Sequence, residues 1–426
     1  MSKVSKLQVQ PQMFLPQPKE DSHWALVLKS QIAQAMLEHV AKRSDTKVAI
    51  ATKPPVIEQI SYEEPDITML KLMIASENLS QGVGEVFEAI VNQSRMSMTK
   101  FANHLQIINA DLASLLGGAH TLWKIGHAIY SKHYGKSSDL RDSGAWRFLS
   151  GLGIPCPTAV DKKDYTLMIK NMEKIHTATL VYCIRVVMGI DKESASNELP
   201  KYPSEKLNKY IEETFNRFFT PEAKKKAAEK SPKLSNLLLR LSDFATVVEG
   251  NAAMKCDDIG RLMNVWKRWS VISQGIKKLT QYLIQLRQMI ILLNEVFPCG
   301  LAHVIKHSLL IAPSGRQNHF LAKDQYLKMQ KFWLKFFFKH SGRGTNIDRL
   351  MNSYSVNITL IGEFVPAPIK NFYSIGLKNL KEKFKKKGRP INKLRPLSMG
   401  VWDPNSDHSH LGQAEEGSNV SSSGNN

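Results

Sequence analysis

Two acidic sites and a group of histidines are the chain's candidates for chemistry. In "LQIINADLASLLGGAH", Asp111 closes an apolar run of Leu105, Ile107 and Ile108, and His120 follows nine residues later. A carboxylate at the end of a short buried strand is where metal-dependent nucleases place a ligand, because Mg2+ takes oxygen donors and clamps phosphoryl oxygens. A second acidic pair, Asp257 and Asp258, precedes the apolar-periodic run "IGRLMNVWKRW". Acids there also have a structural use, since the first turn of a helix leaves N–H groups that a carboxylate can cap. Capping accounts for Asp257, while Asp258 stays open between cap and ligand. Asp111 and Asp258 are therefore the catalytic candidates. Mg2+ is the cofactor such chemistry would require, and a non-catalytic chain requires none.

The histidines divide by spacing. His120, His127 and His133 are seven and six residues apart. Seven helical residues rise about 10 Å, so two such rings cannot reach one ion. His303 and His307, four apart, share a helix face. Yet "HVIKH" has neither the intervening Glu of a zinc hydrolase nor a third ligand close in sequence. We read these histidines as surface or core residues and assign no metal site. The "GVG" at 82–84 is too short for a phosphate loop and no GK[ST] follows it.

Basic residues form the most specific pattern. "KNLKEKFKKKGRPINKLRP", residues 378–396, sets nine Lys or Arg against one acid, Glu382. Within it, Lys385, Lys386, Lys387, Gly388, Arg389, Pro390, Lys393 and Arg395 form an AT-hook-like segment. Pro390 fixes an extended path, Gly388 permits close approach, and Arg389 can enter the narrow, electronegative minor groove of A·T-rich DNA. Lys flanks this core where AT-hooks also use Arg, so the match is partial, and a nuclear-import signal or a solvated basic tail has the same composition. "NVWKRWS" and "KMQKFWLKFFFKH" interleave aromatic and basic residues, as a single-strand stacking surface or an amphipathic core helix does.

The elements that must position these residues are mainly helical. Apolar residues recur at three and four in "SHWALVLKSQIAQAMLEHVAKR", "GVGEVFEAIVNQ", "DYTLMIKNMEKIHTATLVYCIRVVMGI", "DIGRLMNVWKRWSVISQG", "IKKLTQYLIQLRQMIILLNEVF", "GLAHVIKHSLL" and "DQYLKMQKFWLKFFFKH". Strand candidates are short: "KVAIAT", "LQIIN" and "SVNITLIG". The fold class expected is mainly α, a helical bundle-like body with at most a small sheet and disordered termini. Five segments follow: an N-terminal helix and Pro-containing linker (1–65), a first helical block (66–200), a second (201–355), the basic arm (356–402) and a disordered tail (403–426).

Composition bounds the partners. Lys and Arg number 58 against 38 Asp and Glu, a net charge of +20, which attracts polyanions. Nucleic acid, DNA in particular, is the expected partner. No run of about 18 apolar residues exists to span a membrane. The four cysteines form no short-spaced pair, so neither a disulfide framework nor a zinc finger is read, and a reducing compartment is expected. Nuclear localisation is favoured over cytoplasmic.

Several blocks carry a family resemblance: "MLKLMIASENLSQGVGEVFEAIV", "LLGGAHTLWKIGHAIYSKHYG", "GAWRFLSGLGIP", "KKDYTLMIKNMEKIHTATLVYC", "GNAAMKCDDIGRLMNVWKRW" and "PSGRQNHFLAKDQYLKMQKFWLKFFF". Over about residues 55–355 the chain resembles the fungal family of domains of unknown function numbered six-five-eight-nine. The resemblance implies a mobile-element ancestry, with a ribonuclease H-like transposase as the ancestor. Two departures stand out. Ala110 replaces a family glycine, and Asp111 joins "LLGGAH" almost directly, as though a segment were missing. Lys328 and Lys331 stand where the family carries Glu and Asn after the acid matching Asp324. A carboxylate triad would then lack its third member, and two-metal chemistry does not survive that loss. The expected function is non-catalytic nucleic-acid binding. The alternatives are a metal-dependent transposase or nuclease and a helical protein-interaction scaffold.

Overall fold

The computed structural model describes residues 7–65, 70, 71, 73, 75, 80–94, 97–103, 117–139, 142–155, 164–194, 198–277 and 279–330. In chain order these form α1 (Pro18–His39), β1 (Lys42–Arg43), α2 (Ser80–Ser94), α3 (Met98–Ala102), α4 (Gly118–His133), α5 (Ala145–Gly151) and α6 (Tyr165–Met188). There follow β2 (Lys201–Tyr202), α7 (Ser204–Phe218), α8 (Pro221–Lys230), α9 (Pro232–Lys255), α10 (Ile259–Ile272), α11 (Thr280–Ile291), α12 (Cys299–His307), β3 (Leu310–Ile311) and β4 (Leu321–Ala322). Residues 323–330 are helical and are labelled α13. The protein is mainly α. No helix among the described residues is long and apolar enough to cross a membrane.

Local chemistry sets the helix ends. At α1, Pro18 occupies the first position, whose amide has no intrahelical acceptor to lose, and Glu20 accepts the Gln17 N–H at 2.8 Å. At α6, the Asp164 carboxylate accepts the Leu167 N–H at 2.8 Å, and at α8 the Thr220 hydroxyl accepts the Ala223 N–H at 3.2 Å. The strand expected at "KVAIAT" does not form. β1 lies just upstream and pairs in parallel with β2, Lys42 opposite Lys201 and Arg43 opposite Tyr202. Beyond it Asp45 accepts from the Lys47 N–H at 3.0 Å and from Ser204, whose Oγ accepts the Val48 N–H at 3.0 Å. These side-chain bonds turn the backbone where a longer strand would have continued. The other strand candidates, "LQIIN" and "SVNITLIG", lie outside the described residues, as does the tail at 403–426. The expectation of a disordered N-terminus is corrected from residue 7 onward: Pro11–Phe14 forms a 3-10 turn, Phe14 is buried, and α1 begins at Pro18.

The chain divides into two compact units. The first takes residues 1–59, 121–254 and 258–302. One core of this unit packs α1, α6 and α7 together, with α8 and α9 contributing. Leu28, Ile32 and Met36 of α1 meet Leu180 and Ile184 of α6, Leu207 and Ile211 of α7, and Leu238 and Leu241 of α9. α7 to α9 were not assigned by the apolar pattern. α7 repeats at Leu207, Ile211, Thr214 and Phe218, a stripe in which Thr214 is as buried as its neighbours, while the Lys-rich α8 buries only Ala227. In the same unit α10 packs on α11, and Trp266 and Trp269 are fully enclosed, the latter donating to Thr246 Oγ1 at 3.0 Å. The second unit takes residues 60–120, 255–257 and 303–426. Its described part contains α2, α3, the antiparallel β3–β4 pair with Leu310 opposite Ala322, and α13.

One ionisable group is deeply embedded in the first unit. His176 on α6 is 3% exposed, with Nε2 2.9 Å from Gln31 Oε1. The Gln31 amide nitrogen donates to the Ala245 carbonyl, which turns the amide oxygen towards the imidazole and makes Nε2–H the donor. Burial, and secondarily the positive charge of Arg240, pushes the His176 pKa down to about 3. The unfolded chain binds this proton near 6.5, so the neutral ring's contribution is complete above pH 6.5 and is lost as pH falls towards 3. The expected slope is about 1.4 kcal/mol per pH unit within that window. Urea unfolding of wild type and His176→Gln at pH 7, 6, 5 and 4 measures it. The wild type should lose stability relative to the variant by that slope, and parallel curves would show that His176 does not set the acid response.

Candidate functional site

Asp258 caps α10, and Asp257 does not. The Asp258 Oδ1 accepts the Arg261 N–H at 3.1 Å. Asp257 instead takes a positive φ of 60°, a left-handed conformation that Asp tolerates, in the link from α9 to α10. The expectation that Asp257 does the capping is thereby corrected: the N-cap position falls on Asp258, and Asp257 serves one residue earlier as a left-handed residue of the turn.

The Asp258 carboxylate does more than cap. Its Oδ2 accepts the Ile57 N–H at 3.0 Å and its Oδ1 the Glu58 N–H at 3.1 Å. Gln59 bridges Asp258 in antiparallel fashion, and the Gly260 N–H donates to the Glu58 carbonyl at 3.3 Å. A Cβ on Gly260 would sit 2.5 Å from Ile57 Cγ2 and 2.9 Å from the Glu58 nitrogen, so only glycine admits the segment. In the same unit, Arg261 forms a two-pronged pair with Glu249 of α9, Nε to Oε1 at 2.7 Å and Nη2 to Oε2 at 2.9 Å. Burial pushes the Glu249 carboxyl up, and the Arg261 hydrogen bond and charge pull it back. This pair escaped sequence reasoning, because its partners lie on different helices and no local pattern marks them.

That geometry limits what Asp258 can do. Three backbone N–H groups occupy a carboxylate that is 1% exposed. Mg2+ sheds its water reluctantly and takes carboxylates that open onto solvent or substrate. The arrangement performs positioning: one side chain holds residues 57 and 58 against the start of α10. Its proposed companion, Asp111, lies outside the described residues.

His120 is explained by a different acid. In the second unit Asp324, on α13, caps the first turn of α4, Oδ1 accepting the Ala119 N–H at 3.2 Å and Oδ2 the His120 N–H at 2.8 Å. A Cβ on Gly117 would fall 2.5 Å from Asp324 Oδ2, which accounts for a glycine in "LLGGAH". The acid anchoring His120 thus comes from more than 200 residues later and binds its backbone.

The remaining candidates separate. His133 Nε2 lies 2.7 Å from Asp243 Oδ2, joining α4 to α9 in the first unit, while His127 lies part-buried nearly two turns earlier. His303 and His307 lie together on α12 with ring centroids 3.8 Å apart. Cys183 is enclosed, and burial pushes its thiol up to about 12, which removes it as a nucleophile. Lys385, Lys386, Lys387, Gly388, Arg389, Pro390, Lys393 and Arg395 lie outside the described residues.

Comparison with known families adds one match. A model described as "Family of unknown function (DUF6589)" matches in two pieces, residues 5–116 and 110–367. No curated protein and no solved structure matches the chain.

The clasp yields a stability expectation. Asp258→Ala leaves three N–H groups, one buried and two part-buried, without their acceptor and should cost about 3 kcal/mol, read as a lower urea midpoint at unchanged slope. Millimolar Mg2+ should leave the wild-type midpoint unchanged. A midpoint that Mg2+ raises in wild type and not in Asp258→Ala would identify Asp258 as a ligand.

Proposed function

The chain belongs to the DUF6589 family of unknown function, and for this member we propose non-catalytic binding of nucleic acid, DNA in particular, by a nuclear protein of mobile-element descent. The observation that carries the reading is the distribution of charge. Residues 1–330 hold 43 Lys or Arg against 31 Asp or Glu, a net +12, and the remaining excess of +8 lies in residues 331–426. The basic character is therefore a property of the body as well as of the arm, which favours a polyanion as partner.

The contacts divide into two kinds. Lys385, Lys386, Lys387, Lys393 and Arg395 supply phosphate contacts, which set affinity and carry no sequence information. The Gly388–Arg389–Pro390 core supplies minor-groove contact, which favours narrow A·T tracts. The absence of catalysis rests on Asp258, whose carboxylate already serves three backbone donors. A phosphoryl-transfer enzyme would have to release those donors to expose the acid. The two matched pieces overlap over residues 110–116, the same stretch in which Asp111 joins "LLGGAH" almost directly.

A fluorescence-anisotropy titration of the full chain on an A·T-rich duplex tests the binding. Neutralising about five phosphates gives a log-log salt slope of roughly −4.5. Deleting residues 378–395 should weaken binding and flatten that slope. Affinity that ignores salt, or survives the deletion unchanged, overturns the proposal. A fluorescent reporter fused to residues 378–396 should enter the nucleus; nuclear entry by a full chain that ignores DNA would instead favour a scaffold whose arm only directs import.

A further inference from the structure

α12 places two imidazoles side by side. His303 and His307 are one helical turn apart, His303 exposed and His307 half-buried. Their ring centroids are 3.8 Å apart with the planes inclined by 39°, and a ring nitrogen of each lies within 4.8 Å of one on the other. Residues four apart on a helix point to the same side, so the backbone itself holds the two donors together. Two nitrogens bound to one tetrahedral Zn2+ at 2.0–2.1 Å stand about 3.4 Å apart, a separation that small side-chain rotations reach from here.

We propose that His303 and His307 chelate a divalent transition-metal ion, Zn2+ by preference, on the face of α12. Imidazole selects this class over Mg2+ and Ca2+, which take oxygen ligands. By tying one turn to the next, the ion also stabilises the last turns of α12. The proposal is independent of the nucleic-acid reading, because it uses neither the arm nor the charge of the body.

The test uses the full chain, stripped with a chelator and titrated with ZnCl2 against a chromophoric metal indicator. One saturable equivalent is expected. His303→Ala and His307→Ala should each weaken it at least about tenfold, since even outer-shell partners of a metal ligand are commonly worth that much. Alanine is the best helix former, so both variants keep α12, and circular dichroism checks this. His39→Ala, altering an exposed histidine at the end of α1, should bind like wild type. Co2+ should give a visible d–d band that the double variant lacks. Absence of saturable binding in the wild type, or equal binding by the double variant, overturns the proposal.

Discussion

A buried carboxylate must be answered by donors that replace its lost water, and the region around α10 is organised by that demand. Asp258 answers it with backbone N–H groups from three residues, two of them some 200 positions earlier. Glu249 answers it with the fork of Arg261. Removing a donor would strand a charge, so the connector at residues 57–59 cannot drift from the helix it lies on. Gly260 fits the same scheme, because any side chain there would push the connector out of hydrogen-bonding reach.

Much of the helical framework was legible because it is built from apolar periodicity and local caps. α1, α2, α6, α10, α11 and α12 each follow a stripe at three and four, and Asp164 stands where a cap is needed. α7 to α9 were less legible for a physical reason. The stripe of α7 includes a threonine whose hydroxyl is satisfied by the carbonyl four residues back, at 2.7 Å, so a polar residue occupies a core position. α8 is short and lysine-rich, begun by Pro221 and the Thr220 cap, and buries only Ala227, so it shows no apolar stripe. The strand expected at "KVAIAT" failed because the pattern of apolar residues carries no information about Ser204, 156 positions away from Val48.

The acidic candidates show the same limit more sharply. An Asp before an apolar run is equally a cap and a ligand until its surroundings are known. For Asp258 the deciding groups were distant backbone amides, invisible to any local pattern. For His120 the deciding group was Asp324, which sequence reasoning had treated as a family marker. Charge, by contrast, is additive and needs no geometry to be counted, so the basic character of the chain was as plain in the sequence as it is with the structure in hand.

The cap on α4 has a consequence for how the chain is made. A translating ribosome emits residues at about 5–20 per second. The first turn of α4 therefore waits roughly 10–40 s for Asp324 to be synthesised, with its opening amides answered only by water meanwhile. The same delay applies to the connector at residues 57 and 58, whose partner Asp258 emerges about as much later. Nascent chains of this protein spend that interval with a helix start and a connector unfastened.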